Sequence, residues 1–560
     1  MAYRSPVADI RFILDKVVPL APVAQTARFA EATGETVEAV LTEAGRLCDE
    51  VMAPLLRAGD LHPARLENGV VRTSPGFKEA YAQIAEGQWV AIAAPADYGG
   101  MGLPQTLCVA LNDMMSGANL ALQLKPLLTQ GQIEALEHHA SEEIKALYIP
   151  KLISGAWSGT MNLTEAQAGS DVGALRSKAE PKGDGTYAIS GQKIFISWGD
   201  SDMVDNVCHL VLARLPDAAP GTKGISLFMV PKFLPDAAGN PGAANSLKVV
   251  SLEHKMGLHG SPTCVMAFEG ATGWLVGDPG KGMAAMFTMM NNARLAVGVQ
   301  GIGVAEGAYQ KALAYAQERV QFAPIIEHAD VRRMLAEMRA EIFAARAIAL
   351  ACAVALDMGR ATGEADWTAR AALLTPIAKA YGTDVGIWVA DQGIQVHGGM
   401  GFVEETGAAQ YLRDVRVTAI YEGTNGIQAM DLVGRKMMDE GRAAFRLLQE
   451  VEDAAKAARE TLPDLAEAVW QAAETMREHT EGLIARDAQD RFAGAVPYLR
   501  AFARVLGAHY HLQAALADAG RAKLAAVYIR RILPQAEADL AAARAGAVDL
   551  FALSPDDLGV

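Results

Sequence analysis

The hydrophobic period of this 560-residue chain changes twice, and no other feature constrains its fold as strongly. Up to about residue 156 apolar residues recur at helical spacing, as they do from Thr36 to Met52. From Trp157 to about residue 280 short runs alternate as strands do, and at Gly282 the helical spacing returns. The order of helices, strands and helices predicts several domains rather than one core.

The strand-like runs follow one another without intervening helices, which is typical of a compact antiparallel β domain. Gly183-Asp184-Gly185 between two of the runs indicates a hairpin turn. The strands are expected at residues 157–164, 187–197, 207–213, 224–230, 246–252 and 262–269. Helices are expected at 105–117, 119–139, 141–149, 283–320, 330–360 and 366–395, and the Ala-rich segment 441–560 is long enough for a helical domain of its own.

Charge and cysteine usage exclude several protein classes. The formal charge of -15 argues against a nucleic-acid binder, although a local basic patch for a phosphorylated ligand remains compatible with it. The five cysteines have no metal-site or redox spacing, which predicts reduced thiols in a cytoplasmic protein. The first residues lack the pattern of a secretory signal. The sequence also lacks an uninterrupted run of about 18 apolar residues, so no integral membrane segment is expected.

One carboxylate, Glu422, stands between the apolar Tyr421 and Gly423. Desolvation in such surroundings raises a carboxyl pKa, and this suits a general base acting on a weak carbon acid. Gly423 lets the backbone pass close to a ligand, and Thr424 or Asn425 is placed to cap the following helix. The alternative is an ordinary first-turn glutamate that complements the helix dipole, and these residues alone favour that alternative.

Two further motifs leave predicted strands. The loop from Thr164 to Gly173 is rich in backbone and hydroxyl donors, and it either cradles a ring edge or a phosphate or is a plain polar turn. Phe195 and Trp198 end a strand, where they either cover a planar cofactor or belong to the core of the sheet.

Three more features come from the helical part of the chain. The glycines that follow Gln395 indicate a helix stop and a close backbone approach, and His397 is read as structural because no metal constellation surrounds it. Arg319 either binds a phosphate or lies on a helix surface. Arg294 stands between apolar runs and needs a buried partner or an anionic ligand.

In this order, the motifs resemble those of the acyl-CoA dehydrogenase family over about residues 40–440. The extensions at both ends resemble a large bacterial subgroup that includes 3-methylmercaptopropionyl-CoA dehydrogenases. The resemblance implies a multi-domain α+β fold with a barrel-like middle domain and FAD bound between this domain and a helical bundle. The expected parts are an N-terminal extension (1–35), an N-terminal helical domain (36–156), a middle antiparallel β domain (157–280), a C-terminal four-helix bundle (281–440) and an additional helical domain (441–560).

The resemblance also implies roles for single residues. Glu422 would remove the α-proton of an acyl-CoA while the β-hydrogen leaves as hydride to FAD, and the product would be the trans-2-enoyl-CoA. The thioester carbonyl would accept hydrogen bonds from the Glu422 N–H and from the cofactor, as in an oxyanion hole. The implied FAD contacts are Leu163, Thr164, Gly169, Ser170, Phe195, Ser197, Arg319, Phe322, Gln395, Gly398, Gly399 and Thr424. The implied substrate contacts are Ser170, Arg294, Tyr421 and Gly423.

Arg319 and Phe322 would reach FAD in a neighbouring subunit, so a homodimer is expected, with electron-transferring flavoprotein as the electron acceptor. The acyl pocket would lie along the helix near Leu120–Gln130, whose leucines favour an apolar chain, while Gln123, Lys125 and Gln130 admit a short or polar one. The expected substrate is 3-methylmercaptopropionyl-CoA or a short or medium acyl-CoA. The alternatives are a long-chain acyl-CoA dehydrogenase, an acyl-CoA oxidase and a DNA-binding flavoprotein of the same fold.

Overall fold

The computed structural model describes residues 3–559, which form two compact units. The bundle unit comprises the segment ending at Thr42, Val109–Gly117 and the chain from Arg294 onward. The β unit comprises Glu43–Cys108 and Ala118–Ala293. The outer ends of the expected N-terminal extension and last helical domain lie outside the described residues; they are Met1, Ala2 and Val560.

Helices occupy most of the bundle unit and the N-terminal part of the β unit. In the described residues the α-helices are α1 Val7–Phe12, α2 Ala21–Ala24, α3 Gly34–Leu47, α4 Leu56–Leu61, α5 Phe77–Glu86, α6 Gln105–His139, α7 Glu142–Ile153, α8 Gly282–Glu318, α9 Ala329–Thr362, α10 Ala365–His397, α11 Ala408–Val415, α12 Asn425–Asp431, α13 Arg442–Ala458, α14 Pro463–Ile484, α15 Ala488–Ala493, α16 Ala495–Ala517, α17 Ala522–Val527, α18 Gln535–Arg544 and α19 Val548–Ala552. Short 3-10 and π turns connect or extend several of them.

The strands are concentrated in the β unit. They are β1 Arg65–Glu67, β2 Val70–Arg72, β3 Trp157–Asn162, β4 Lys178–Pro181, β5 Tyr187–Ser197, β6 Asn206–Arg214, β7 Ile225–Pro231, β8 Phe233–Pro235, β9 Pro241–Ala244, β10 Leu247–Leu252, β11 Thr263–Val276, β12 Val320–Gln321 and β13 Ala323–Pro324. The β1–β2 hairpin turns at Asn68 and Gly69, both with positive φ, inside the region that we expected to be helical.

The main sheet closes on itself, as the barrel-like expectation required. Its path runs β10-β11-β5-β4-β6-β3, and β7 pairs with both β11 and β6. Buried apolar side chains such as Ile189, Val211, Phe228 and Met266 fill its core. The pairing is antiparallel except where β6 meets β3 and, at one residue pair, β4. The long connection from β3 through β4 and β5 lets β6 return beside β3 in the same direction.

The predicted break near residue 118 corresponds to a kink inside α6. Asn119 has non-helical angles (φ -164, ψ 91), and its side-chain oxygen accepts a hydrogen bond from the Leu122 N–H at 3.1 Å. Asn119 therefore acts as an internal N-cap, and the two helices that the sequence predicted are joined without a loop.

The bundle unit contains three long helices, α8, α9 and α10. Helices α9, α11 and α12 pack against α10. The backbones of α8 and α10 approach closely: a Cβ on Gly301 would lie 2.3 Å from the Gly382 carbonyl oxygen. The helix α9 is long and apolar enough to span a membrane, but 89% of its most apolar window is buried in protein, as in a core helix. Helix α16 of the C-terminal segment packs against α9, so this segment shares the core of the bundle.

Candidate functional site

Glu422 lies on a left-handed turn that precedes α12. Glu422 has φ 55 and Gly423 has φ 85, and Thr424 caps the helix by accepting a hydrogen bond from the Ile427 N–H at 3.2 Å. Glu422 is two residues before this cap and outside the helix. The alternative reading, a first-turn residue of an ordinary helix, therefore does not describe its position.

One oxygen of the Glu422 carboxylate is enclosed by the protein. Its Oε2 is buried without a hydrogen-bond partner among the described residues. Burial raises the pKa of Glu422 to about 7, while the charges of Arg294 and Lys379 oppose this rise. Its backbone N–H donates to no acceptor within residues 3–559, which leaves this donor available to a ligand.

Arg294 has the buried partner that its sequence context required. It is buried on α8, and its Nη1 lies 3.8 Å from Asp431 Oδ2 on α12. Asp431 also pairs with Arg435 at 2.5 Å. Sequence reasoning missed Asp431, because its partner Arg294 lies far away in the chain, and Lys379, because it belongs to a different helix from the Glu422 turn.

Two glutamines, also missed from the sequence, fix the walls of the turn. Tyr421 donates from its hydroxyl to Gln300 Oε1 on α8. Gln428 donates from Nε2 to the carbonyl oxygens of Glu422 at 3.3 Å and Gly423 at 3.5 Å. A Cβ on Gly423 would lie 2.8 Å from this Nε2, so the glycine is required by both space and backbone angle.

In the β unit, the loop after β3 holds Leu163, Thr164, Gly169 and Ser170. A buried ion pair anchors this loop: Lys193 Nζ lies 2.8 Å from Glu165 Oε1 and 3.1 Å from the Leu163 carbonyl oxygen. Burial alone would raise the pKa of Glu165, but Lys193 and the hydrogen bonds from Arg176 and Ser177 lower it to about 2. No local pattern predicts this ion pair, because its members are 28 residues apart.

Two aromatic residues at the end of β5 differ in exposure, which the sequence did not predict. Both Phe195 and Trp198 have positive φ, 60 and 53. The Phe195 side chain is 60% exposed, whereas Trp198 is fully buried and donates from its indole nitrogen to the Ala121 carbonyl oxygen at 3.2 Å. Phe195 is therefore the available aromatic cover, and Trp198 is a core residue.

In the bundle unit, Arg319 and Phe322 belong to the short β12–β13 hairpin that follows α8. Phe322 forms its tip with φ 63, and its side chain is fully exposed. Gln395 is exposed near the end of α10, followed by Gly398 (φ 59) and Gly399, around whose hypothetical Cβ atoms lies open space. His397 is structural: its ring stacks on Tyr315 at 4.4 Å.

Each unit by itself offers groups that fit a flavin nucleotide. The β unit exposes the Phe195 ring, and the hydroxyls of Thr164, Ser170 and Ser197 make no hydrogen bond within the described part of the chain. The bundle unit offers the Arg319 guanidinium group for a phosphate and open glycines for close approach of a ligand. An exposed aromatic ring with free hydroxyl donors suits a planar, polar-edged ring system.

Family models match almost the whole chain. They are described as the N-terminal domain (residues 34–156), middle domain (160–271) and C-terminal domain (280–438) of acyl-CoA dehydrogenases, and as an acetyl-CoA dehydrogenase C-terminal-like domain (447–554). The 3-methylmercaptopropionyl-CoA dehydrogenase of Ruegeria pomeroyi is 45% identical over 520 residues, which cover 89% of this chain and 88% of that protein. The chain belongs to the acyl-CoA dehydrogenase family.

Other comparisons agree with this assignment. A butyryl-CoA dehydrogenase of Syntrophomonas wolfei is 36% identical over 475 residues, covering 80% of this acyl-CoA dehydrogenase and 77% of the relative. The crystal structure of a Bacillus anthracis acyl-CoA dehydrogenase complexed with FAD has a TM-score of 0.73 at 20% identity and covers 100% of this chain and 94% of that one. The protein is thus an oxidoreductase that acts on acyl-CoA.

The residues expected to line the acyl pocket are all buried on α6. The apolar members are Leu122, Leu124, Leu127 and Leu128. Among the polar members, Lys125 donates to Ser158 and Ser201, and Gln130 donates to the Trp89 carbonyl oxygen at 3.3 Å. Their polarity therefore serves internal hydrogen bonds and does not by itself favour a polar acyl group.

Proposed function

We propose that this acyl-CoA dehydrogenase uses Glu422 to remove the α-proton of a short, medium or methylthio-substituted acyl-CoA. The carrying observation is a carboxylate whose buried Oε2 lacks a partner and whose pKa is raised to about 7. Such a group holds a proton weakly enough to act as a base near neutral pH and strongly enough to accept one. FAD, when bound, supplies the acceptor for the hydride that leaves the β-carbon.

The turn itself contributes to the step. Removal of the α-proton places negative charge on the thioester oxygen, and the free N–H of Glu422 is a fixed donor for that charge. Gln428 donates to the Glu422 and Gly423 carbonyl oxygens, which follow this N–H in the chain, and so limits the movement of the turn. Arg294 adds a buried positive charge nearby, which favours the ionised form of the base before substrate binds.

The substrate proposal is supported by the relatives named 3-methylmercaptopropionyl-CoA dehydrogenase and butyryl-CoA dehydrogenase. We assign electron-transferring flavoprotein as the electron acceptor and the cytoplasm as the location. The exposed hairpin carrying Arg319 and Phe322 supports a homodimer in which it reaches the partner's FAD. We propose that Ser170, Arg294, Tyr421 and Gly423 contact the substrate. We also propose five parts for the chain, with bounds at residues 1–35, 36–156, 157–280, 281–440 and 441–560.

The test is anaerobic mixing of the purified holoenzyme with 3-methylmercaptopropionyl-CoA, butyryl-CoA and a long-chain acyl-CoA, with flavin absorbance recorded near 450 nm. Bleaching by the short acyl-CoAs is expected, and faster bleaching by the long-chain one would contradict the substrate proposal. Glu422→Gln should bind FAD and acyl-CoA but bleach at least about 10³-fold more slowly, because the amide cannot accept the proton. Near-normal bleaching by Glu422→Gln would remove Glu422 as the base.

A further inference from the structure

A second buried cation lies beside the proposed base. Lys379 is fully buried on α10, a helix that otherwise supplies the core of the bundle. Its Nζ donates to the Asn425 side-chain oxygen at 2.8 Å, and Asn425 is the first residue of α12, three positions after Glu422. No acidic group lies within ion-pairing distance of this ammonium in the part of the chain described. A buried ammonium without a direct counterion is costly, and its retention calls for a reason.

The orientation of Asn425 is fixed by the charges on α10. Its side-chain oxygen accepts from Lys379, and its Nδ2 donates to Asp384 Oδ1 at 2.7 Å and to Thr383 Oγ1 at 2.9 Å. An ammonium only donates and a carboxylate only accepts, so a flipped amide would set donor against donor and acceptor against acceptor. Lys379 and Asp384 therefore hold one end of the Glu422 turn in a single arrangement.

The turn needs such a restraint. A glutamate at φ 55 has a strained backbone and keeps that conformation only when its surroundings impose it. Gln428 holds the turn on one side through two backbone carbonyl oxygens. The contact between Lys379 and Asn425 holds it on the other.

The charged groups around Glu422 in the bundle unit are few. Arg294 faces it from α8 and Lys379 from α10, and both favour the ionised carboxylate. Tyr421 lies on the same turn with its pKa raised by burial. Farther out, Asp384 acts on Lys379, whereas Asp431, Arg435 and Lys436 form a cluster around Arg294. Because Arg294 already pairs with Asp431, Lys379 is the cation whose charge is not compensated at short range.

We propose that Lys379 is a positioning residue for the dehydrogenation: it holds the Glu422 turn through Asn425 and places an uncompensated positive charge beside the base. The inference rests on the proposed role of Glu422. If Lys379 has this role, the fall of kcat/KM on the acidic side of the pH profile depends on a lysine that acts through the Glu422 turn and not on the substrate.

The test compares Lys379→Met, Lys379→Gln and Lys379→Arg holoenzymes by their pH profiles of kcat/KM, with 3-methylmercaptopropionyl-CoA and butyryl-CoA as probes. This profile reports ionisations of the free enzyme. Without the cation the Glu422 carboxylate loses its proton less readily, so the acidic limb should move to higher pH by about 1 unit in the Met and Gln variants. Lys379→Arg, which keeps the charge, should leave the limb near its wild-type position.

Lys379→Gln is included because its amide can still donate to Asn425, so this variant is expected to fold. Flavin content and circular dichroism verify that each variant is folded and binds its cofactor. A purely structural role for Lys379 would lower flavin content or kcat without moving the limb, and that result overturns the inference. Glu422→Gln is measured in parallel. If Glu422→Gln is inactive and the limb does not move, only the inference about Lys379 fails; if Glu422→Gln is active, the proposed base fails and the inference falls with it.

Discussion

At the scale of single residues, Lys125 shows what a buried charge costs. Its Nζ donates to Ser158 Oγ at 2.9 Å and Ser201 Oγ at 3.0 Å, and it lies 5.3 and 5.2 Å from the rings of Tyr81 and Trp198. Desolvation lowers its pKa to about 7, although Asp200 and Asp202 attract the charge. The unfolded chain holds this proton up to its ordinary pKa of 10.5, so Lys125 reduces stability most strongly below pH 7.

We therefore expect Lys125→Met to raise the free energy of unfolding by about 1–4 kcal/mol at pH 6–7. The gain should shrink as the pH rises towards 10, because the unfolded lysine then loses its proton too and the penalty disappears. Urea denaturation of the holoenzyme at several pH values measures this. Lys248→Met is the control, since Lys248 is 60% exposed in a surface ion pair and should change stability by less than about 0.5 kcal/mol at any of these pH values. A gain from Lys125→Met that is independent of pH would contradict the argument.

At the scale of elements, the β12–β13 hairpin contains a strained residue whose side chain makes no stabilising contact within the described part of the unit. Phe322 combines φ 63 with a fully exposed ring, and neither feature stabilises an isolated chain. Phe322→Gly should relieve about 1 kcal/mol of backbone strain and so leave the thermal stability of the FAD-free protein equal or higher. If the ring contacts FAD in a dimer, the same variant should retain FAD several-fold less well on dialysis, as judged from the absorbance ratio of 450 to 280 nm.

The control for the hairpin is Phe551→Ala, because Phe551 is 70% exposed on α19 and has no assigned contact with FAD. Sedimentation velocity on both variants reports the oligomeric state. Full FAD retention by Phe322→Gly would remove the hairpin from the cofactor site.

Local patterns predicted elements well and their partners poorly. The ends of β5 and α10 were within about two residues of the expected ones, because alternation and helical spacing are local properties. The parallel pairing of β3 with β6 was not predictable, since a strand pattern does not specify its neighbour. The same limit applies to the candidate site. The Glu422 motif is contiguous and could be proposed from its own residues, whereas the contact between Lys379 and Asn425 joins residues 46 apart and was missed.

At the scale of the bundle unit, both chain extensions are joined to the core by one ion network, whose carboxylates are buried and whose outer arginines are partly exposed. Asp9 of α1 pairs with Arg339 of α9 and, at 2.8 Å, with Arg521 in the turn after α16. Arg339 and Arg346 share Glu306 of α8 at 3.5 and 3.1 Å, and Arg346 also pairs with Asp113 of α6 at 2.7 Å. Three arginines and three carboxylates thus balance one another, and the N-terminal extension supplies one of the carboxylates.

Asp9→Ala should leave Arg339 and Arg521 without this partner and lower the free energy of unfolding by about 3–5 kcal/mol, because breaking a buried pair strands a charge. Asp15→Ala is the matched control: Asp15 lies six residues farther along the same extension and pairs with Arg11 at 3.4 Å at the surface, so its loss should cost less than about 1 kcal/mol. Both are measured by urea denaturation of the holoenzyme at pH 7. Since the arginines outweigh burial and lower the pKa of Asp9, the wild-type advantage over Asp9→Ala should fade as Asp9 is protonated in acid. Equal losses in the two variants would mean that the extension rests on the bundle by apolar packing alone.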